Sequence, residues 1–222
     1  MSTVLVVAPH PDDEVLGCGG TLLRHRAEGA SVHWLVVTTM EGMAGYSTER
    51  IEERRAQLEA VTDAMGFSER HELGFPTALL DTIPLADIVG ATGRVVTEIG
   101  ADTLYIPHAG DVHSDHGVVA KAAQACTKWF RYPSVRRVYA YETPSETDFA
   151  FPPDGPGMPL NRFVDISGYL DRKIEILKTY EGELGQFPFP RSETAIRALA
   201  QIRGSAAGTE AAEAFQVLKE IV

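Results

Sequence analysis

Cysteine is scarce: the 222 residues hold two, Cys18 and Cys126, and neither has another cysteine at a metal-ligand or redox spacing. That excludes a disulfide-rich framework, a cysteine zinc site and a thiol redox pair, and the two thiols read as buried groups in a reducing cytoplasm. Positive charge is also short. Twenty Lys and Arg against 31 Asp and Glu leave a formal net charge of −11, which repels phosphate backbones, and the densest basic spots are the pairs Arg54-Arg55 and Arg136-Arg137. Nucleic acid is therefore not an expected partner. No apolar run approaches the roughly 20 residues of a membrane span, and the chain passes from Met1-Ser2-Thr3 straight into a hydrophobic run, with neither a basic start nor a cleavage site. A cytoplasmic protein is expected.

What is present is the ordinary composition of a globular chain, 44% hydrophobic and 23% charged, with a length that fits one domain over residues 1–222. Residues 3–8 (TVLVVA) form a nearly continuous β-branched run, the pattern of a strand buried on both faces. After a polar loop, residues 14–28 take helical spacing and stop near Gly29. The alternation then repeats. Strands are predicted at 32–38, 71–73, 103–106, 137–142 and 163–166, with helices at 48–65, 85–99, 117–130, 167–180, 192–203 and 209–221. Ser192 is the expected start of one late helix and Gly204 its stop. Residues 144–159, rich in proline and carrying Glu146, Asp148 and Asp154, read as an irregular surface loop. The result is an α/β, Rossmann-like fold: a mostly parallel sheet, helices on both faces because parallel neighbours need crossovers, and a C-terminal helical cap.

In such a sheet, functional loops follow the strand C-termini. His10-Pro11-Asp12-Asp13-Glu14 occupies the loop after the first strand, and His113-Ser114-Asp115-His116 follows the strand at 103–106. His10 and Asp13, three positions apart, offer an imidazole nitrogen and a carboxylate oxygen to one cation while Asp12 stays free to handle a proton. A catalytic zinc takes three protein ligands and keeps a position open for water, and His116 supplies the third. His113 then reaches a substrate carbonyl rather than the metal, with the Asp115 carboxylate available to hold a nearby imidazole protonated. The competing structural reading makes Asp12 or Asp13 a helix cap and His10 a polar loop residue.

These motifs resemble those of the PIG-L/LmbE family of zinc-dependent N-deacetylases, which carry Ala-His-Pro-Asp-Asp-Glu near the N-terminus and His-x-Asp-His about a hundred residues on; here Pro9 stands in place of the alanine. The likeness extends to Gly17, Gly19-Gly20, Tyr141-Glu142, Arg203-Gly204 and Ala212-Glu213-Ala214-Phe215. It implies His10, Asp13 and His116 as ligands of zinc or another divalent metal, Asp12 as general base, and His113, backed by Asp115, as general acid or oxyanion stabiliser. It also implies Arg54 as a substrate-holding side chain, against the alternative of a solvated helix charge. Glu14 either caps the first helix or orients the metal site from behind. The implied reaction is hydrolysis of the acetamide of an N-acetylated, N-acetylglucosaminyl-type sugar or glycoconjugate, by a chain that oligomerises in an unspecified number of copies.

Two other functions compete. A dinucleotide-binding Rossmann module is hinted at by Gly17-Cys18-Gly19-Gly20 and by Glu41 after the second strand, but eight residues separate Ala8 from Gly17 and the sixth motif position is Leu22. A zinc hydrolase acting on an ester or phosphoester uses the same residues on a different bond.

Overall fold

The strands nearest the two motifs are buried on both faces. In the computed structural model, which describes residues 2–150 and 157–222, β1 (Thr3–Ala8) sends Val4, Val6 and Ala8 into one core and Leu5 and Val7 into the other. β2 (Ser31–Thr39) divides likewise, with Trp34 and Val36 on the first side and Leu35 and Val37 on the second. A continuous apolar run is what period-two side-chain alternation requires of a strand covered twice.

The sheet has seven strands in the order β3-β2-β1-β4-β5-β7-β6, with β3 (Glu69–Pro76), β4 (Thr103–Pro107), β5 (Arg137–Tyr141), β6 (Arg162–Asp165) and β7 (Ala212–Glu220) completing it. From β3 to β5 every pairing is parallel; β7 runs antiparallel to both β5 and β6. Helices α1 (Asp13–Ala27), α2 (Thr48–Met65), α5 (Leu170–Leu177) and α6 (Glu193–Ala207) pack over the Trp34 side, and α3 (Leu85–Ile99) and α4 (Ser114–Ala125) over the Leu35 side. The chain order reverses between β1 and β4, so the loops after these neighbouring strands splay apart and leave a crevice at their C-terminal ends. Both sequence motifs open onto it.

Two sequence expectations need correction. Residues 209–221 are not a helix: Gly208, left-handed at φ 75°, ends α6, and the chain enters β7. Ala and Glu favour helix in isolation, but β5 has an open edge, and Phe215 and Val217 alternate into the core from there. Gly204 does not stop α6 either. It lies inside the helix where β7 begins, and a Cβ there would sit 2.7 Å from the Thr209 carbonyl oxygen. The C-terminal cap is thus one helix lying on an antiparallel extension of the sheet. Of the expected 144–159 loop, residues 151–156 lie outside the described residues, and 144–150 are turns that carry Ser145 and Glu146 to the crevice.

The remaining residues of the family likeness fasten this C-terminal part to the first βα unit. Tyr141 Oη donates to the Val7 carbonyl (2.9 Å). Its ring covers Gly17, where a Cβ would come within 2.2 Å of it. Arg203 grips Glu142 with two hydrogen bonds of 2.8 and 2.7 Å, and Glu213 accepts from the backbone amides of Gly20 and Thr21 and from buried Lys173. Gly17, Gly19 and Gly20 therefore sit within α1 as packing glycines, not in a strand-to-helix turn that cradles phosphate. Among the described residues, no helix is long and apolar enough to cross a membrane.

Candidate active site and metal centre

The β1 loop turns sharply at Asp12, whose backbone takes φ 127°, ψ −30°, a conformation that costs a non-glycine residue on the order of 1–3 kcal/mol. The surroundings hold it there. Glu14, fully buried, accepts the Asp12 N–H on Oε2 (3.0 Å) and the Tyr180 hydroxyl on Oε1 (2.6 Å). Burial, opposed by Tyr180, pushes the Glu14 carboxyl up to about 8. Glu14 thus holds the backbone of Asp12, the residue that opens α1, and so fixes the turn that presents the metal residues. The Asp12 side chain makes no capping bond to α1, so it is not the helix cap of the structural reading.

The consequence of the turn is convergence. Asp13 Oδ2 lies 3.4 Å from His10 Nδ1 and 3.4 Å from His116 Nε2, and the three donor atoms fall within 4.8 Å of one another. Each histidine's other nitrogen is taken by a carboxylate: His10 Nε2 by Asp115 Oδ2 (3.0 Å), His116 Nδ1 by Asp111 Oδ2 (2.8 Å). A carboxylate behind each imidazole sets the ring angle and leaves the inner nitrogen to bind a cation, the arrangement that metal-ligating histidines use. Asp13 Oδ1 is buried with no hydrogen-bond partner among the described residues. A two-nitrogen, one-carboxylate donor set with an orphaned oxygen fits a divalent metal.

The electrostatics agree. Burial works against a charged His10, but Asp115 and Asp13 outweigh it and push the ring up to about 9; burial opposes a charged His116 too, and there Asp13 and Asp111 prevail and push the ring up to about 10. Proton and cation compete for those nitrogens, so affinity for metal rises with pH. Asp13, despite its burial, is held well below the usual carboxylate range by His116 and His10.

Asp115 is placed differently from the sequence expectation. Its carboxylate backs His10 rather than His113, and it also accepts from the Ala78 and Leu80 amides (2.7 and 3.1 Å). It serves His113 through its backbone, donating its N–H to His113 Nδ1 (3.2 Å), because the motif occupies the cap and first turn of α4 rather than a loop before it. Nδ1 of His113 is therefore an acceptor, and a neutral ring carries its proton on Nε2. Burial and the neighbouring His10 and His116 lower the His113 pKa, which favours that neutral form.

Asp12, His10 and His113 line a cavity of about 330 Å³ together with Arg50, Arg54, Glu183 and Arg191. Burial, then the Asp13 charge, raise the Asp12 carboxyl to about 7 against the pull of Arg191. Arg191, invisible as a site residue in the sequence, donates to Asp12 Oδ2 (2.7 Å), Ser145 Oγ (2.8 Å) and Glu146 Oε1 (3.2 Å). Arg54 is buried in the cavity wall, not a solvated helix charge: it donates to the Pro11 carbonyl (3.1 Å) and pairs with Glu183, and its Nε has no partner among the described residues. Asp111 was missed as well. It lies five residues before His116, and its only sequence signal was an acidic residue inside the motif loop.

Fold and site together place a candidate metal-binding cluster at the mouth of a cavity on a doubly wound sheet. The comparisons with known proteins agree: residues 5–127, more than half the chain, match the PIG-L model, described as GlcNAc-PI de-N-acetylase. The chain belongs to the PIG-L family. It is 29% identical to a 1D-myo-inositol 2-acetamido-2-deoxy-alpha-D-glucopyranoside deacetylase from Mycobacteroides abscessus, over 82% of this chain and 81% of that protein. The conserved protein TT1542 from Thermus thermophilus superposes with TM-score 0.79 at 27% identity, covering 100% of this chain and 97% of that one. GalB, the 4-carboxy-2-hydroxymuconate hydratase of Pseudomonas putida KT2440, has the same fold (TM-score 0.75, 20% identity, 100% and 98% covered), so the fold alone does not name the reaction.

Proposed function

We propose that the protein hydrolyses the acetamide of an N-acetylated, N-acetylglucosaminyl-type sugar or glycoconjugate, releasing acetate and the free amine, with zinc held by His10, Asp13 and His116. The observation that carries this reading is the pair of carboxylate-backed histidines facing one Asp13 oxygen, with a non-ligand carboxylate, Asp12, at the adjoining cavity wall. A closed structural metal site has no use for that free acid. The family and the sugar-amide substrate in its relative's name support the choice of bond.

Zinc, when bound, would supply Lewis acidity, bringing the pKa of water down toward neutrality and polarising the acetyl carbonyl. Asp12, held by Arg191, takes the proton from the attacking water and passes it to the amine as the C–N bond breaks; a carboxyl raised to about 7 is suited to both transfers near neutrality. His113 directs Nε2–H to the carbonyl oxygen as it gains charge, its tautomer set by the Asp115 amide. Asp115 contributes by fixing His10, Glu14 by fixing Asp12, and Arg54 by tying down the Pro11 carbonyl and pairing with Glu183 at the cavity wall. The same reading has residues 1–222 act as one domain in the cytoplasm.

The test is a panel of N-acetylated sugars, acetate esters and phosphoesters assayed with zinc. Amine release from an N-acetylglucosaminyl compound, abolished in Asp12→Ala with metal retained and in His116→Ala with metal lost, supports the reading. Turnover confined to esters or phosphoesters contradicts it.

A further inference from the structure

We propose that His33, His71 and Glu69 form a second divalent-metal site on the outer edge of the sheet, separate from the catalytic centre. His33 lies directly opposite Glu69 in the parallel β2–β3 pair, and His71 is two residues beyond Glu69, so all three side chains leave the same face. His33 Nδ1 is 3.3 Å from His71 Nε2, and Glu69 Oε2 is 3.7 Å from that same His71 nitrogen. One ligand atom from each of the three falls within 4.8 Å of the others. With Zn–N bonds of about 2.0–2.1 Å, the edge of a tetrahedral site is about 3.3–3.4 Å. The imidazole pair already has that separation.

The tautomer is also arranged. Ser31 Oγ gives its hydrogen to Ser68 Oγ (2.9 Å), so at His33 Nε2 (3.0 Å) it accepts, and His33 carries its proton on Nε2. His33 Nδ1 is then the acceptor of the hydrogen bond from His71 Nε2 (3.3 Å), and a cation between the two nitrogens would replace that proton. A hydroxyl behind the outer nitrogen, orienting the ring, is the arrangement expected behind a metal-binding imidazole. Two imidazoles and one carboxylate form a borderline donor set that selects Zn²⁺, Ni²⁺, Co²⁺ or Cu²⁺ over Mg²⁺ and Ca²⁺. Partial exposure of His33 and His71 leaves water to complete the coordination.

The site is independent of the first. Neither His33 nor His71 lines the catalytic cavity: His33 is about 16 Å along β2 from Thr38, which does, and Glu72, next to His71, lines it from the opposite face of β3. A cation here would clamp edge strand β3 to β2, and the chain beyond β3 carries Thr77 and Ala78 into that cavity. The role is therefore a staple for the strand that bounds the site.

The experiment is metal stoichiometry by mass spectrometry after equilibrium dialysis of the whole protein against micromolar Zn²⁺. Wild type should hold two equivalents, His33→Asn/His71→Asn one, His116→Ala one, and the combined variant none. Deacetylation by His33→Asn/His71→Asn should stay within about twofold of wild type, since neither side chain reaches the cavity. Cu²⁺ loaded into His116→Ala gives a readout free of activity: an EPR spectrum with coupling to two nitrogens, lost in the single His71→Gln variant. One equivalent in wild type, two in the His33→Asn/His71→Asn variant, or an EPR spectrum unchanged by His71→Gln would each overturn the proposal.

Discussion

Removing the Asp111 carboxylate should weaken metal binding without touching a metal ligand. Asp111 Oδ2 holds His116 Nδ1 at 2.8 Å, its Oδ1 accepts from Thr147 Oγ1 at 2.6 Å, and His116 is 1% exposed. In Asp111→Ala nothing else among the described residues reaches the outer nitrogen, so His116 loses both its set tautomer and the negative charge that makes the inner nitrogen basic. Loss of a carboxylate behind a metal-ligating histidine typically costs about 10–100-fold in affinity, or about 1.4–2.8 kcal/mol. The assay is competition for zinc against a chromophoric chelator at pH 7.5, far below the melting temperature. Thr147→Val is the control, since it removes the other hydrogen bond of Asp111 and leaves the histidine contact. A zinc Kd for Asp111→Ala within twofold of wild type would refute the reasoning, because His116 would then need no partner to act as a ligand.

Four further outcomes are expected. Asp12→Ala should lower kcat by about 10²–10⁴-fold, the usual contribution of a general base, while zinc content stays at the wild-type level; kcat within a few fold of wild type would remove the role. Arg191→Ala should lower kcat by up to about 100-fold through misplacement of Asp12, with partial recovery in Arg191→Lys, and a pure KM effect would instead make Arg191 a substrate contact. Glu213→Ala leaves Lys173 buried without its partner and should cost about 3–5 kcal/mol, read as a lower urea midpoint, whereas a midpoint unchanged from wild type would mean the ion pair is not what ties α5 to β7. Burial lowers the His25 pKa, so the unfolded chain binds that proton first: its contribution is complete above the unfolded value near 6.5 and is lost as pH falls from there to the depressed folded value. His25→Gln should flatten this part of the stability curve between pH 7.5 and pH 5, and identical curves would show that the group is inert.

How much of this was legible in the sequence follows from the range of each interaction. The β1 run and the helices at 48–65 and 85–99 with their left-handed glycines are local patterns, and each took its expected place, whereas the second motif, expected as a loop, forms the cap and first turn of α4. His10, Asp12, Asp13, His113 and His116 came together because the motifs follow strands that the order places side by side. What stayed hidden depends on distant partners. Arg191 reaches Asp12 across 179 positions, Tyr180 reaches Glu14 across 166, and no local periodicity encodes either pairing. The β7 segment was misread for the same reason: its composition favours helix, and only the open edge of β5 makes it a strand. Asp115 was recognised as an imidazole partner but given to the nearer histidine, whereas the fold brings His10 to it from 105 residues away.

The most direct test of the account is the recovery of activity with metal. Protein stripped by a chelator should release no amine from an N-acetylglucosaminyl substrate, and turnover should return as zinc is added back to wild type but not to His116→Ala. Full deacetylation by protein shown to contain no metal, or by His116→Ala, would contradict the assignment of His10, Asp13 and His116 as the centre of the chemistry.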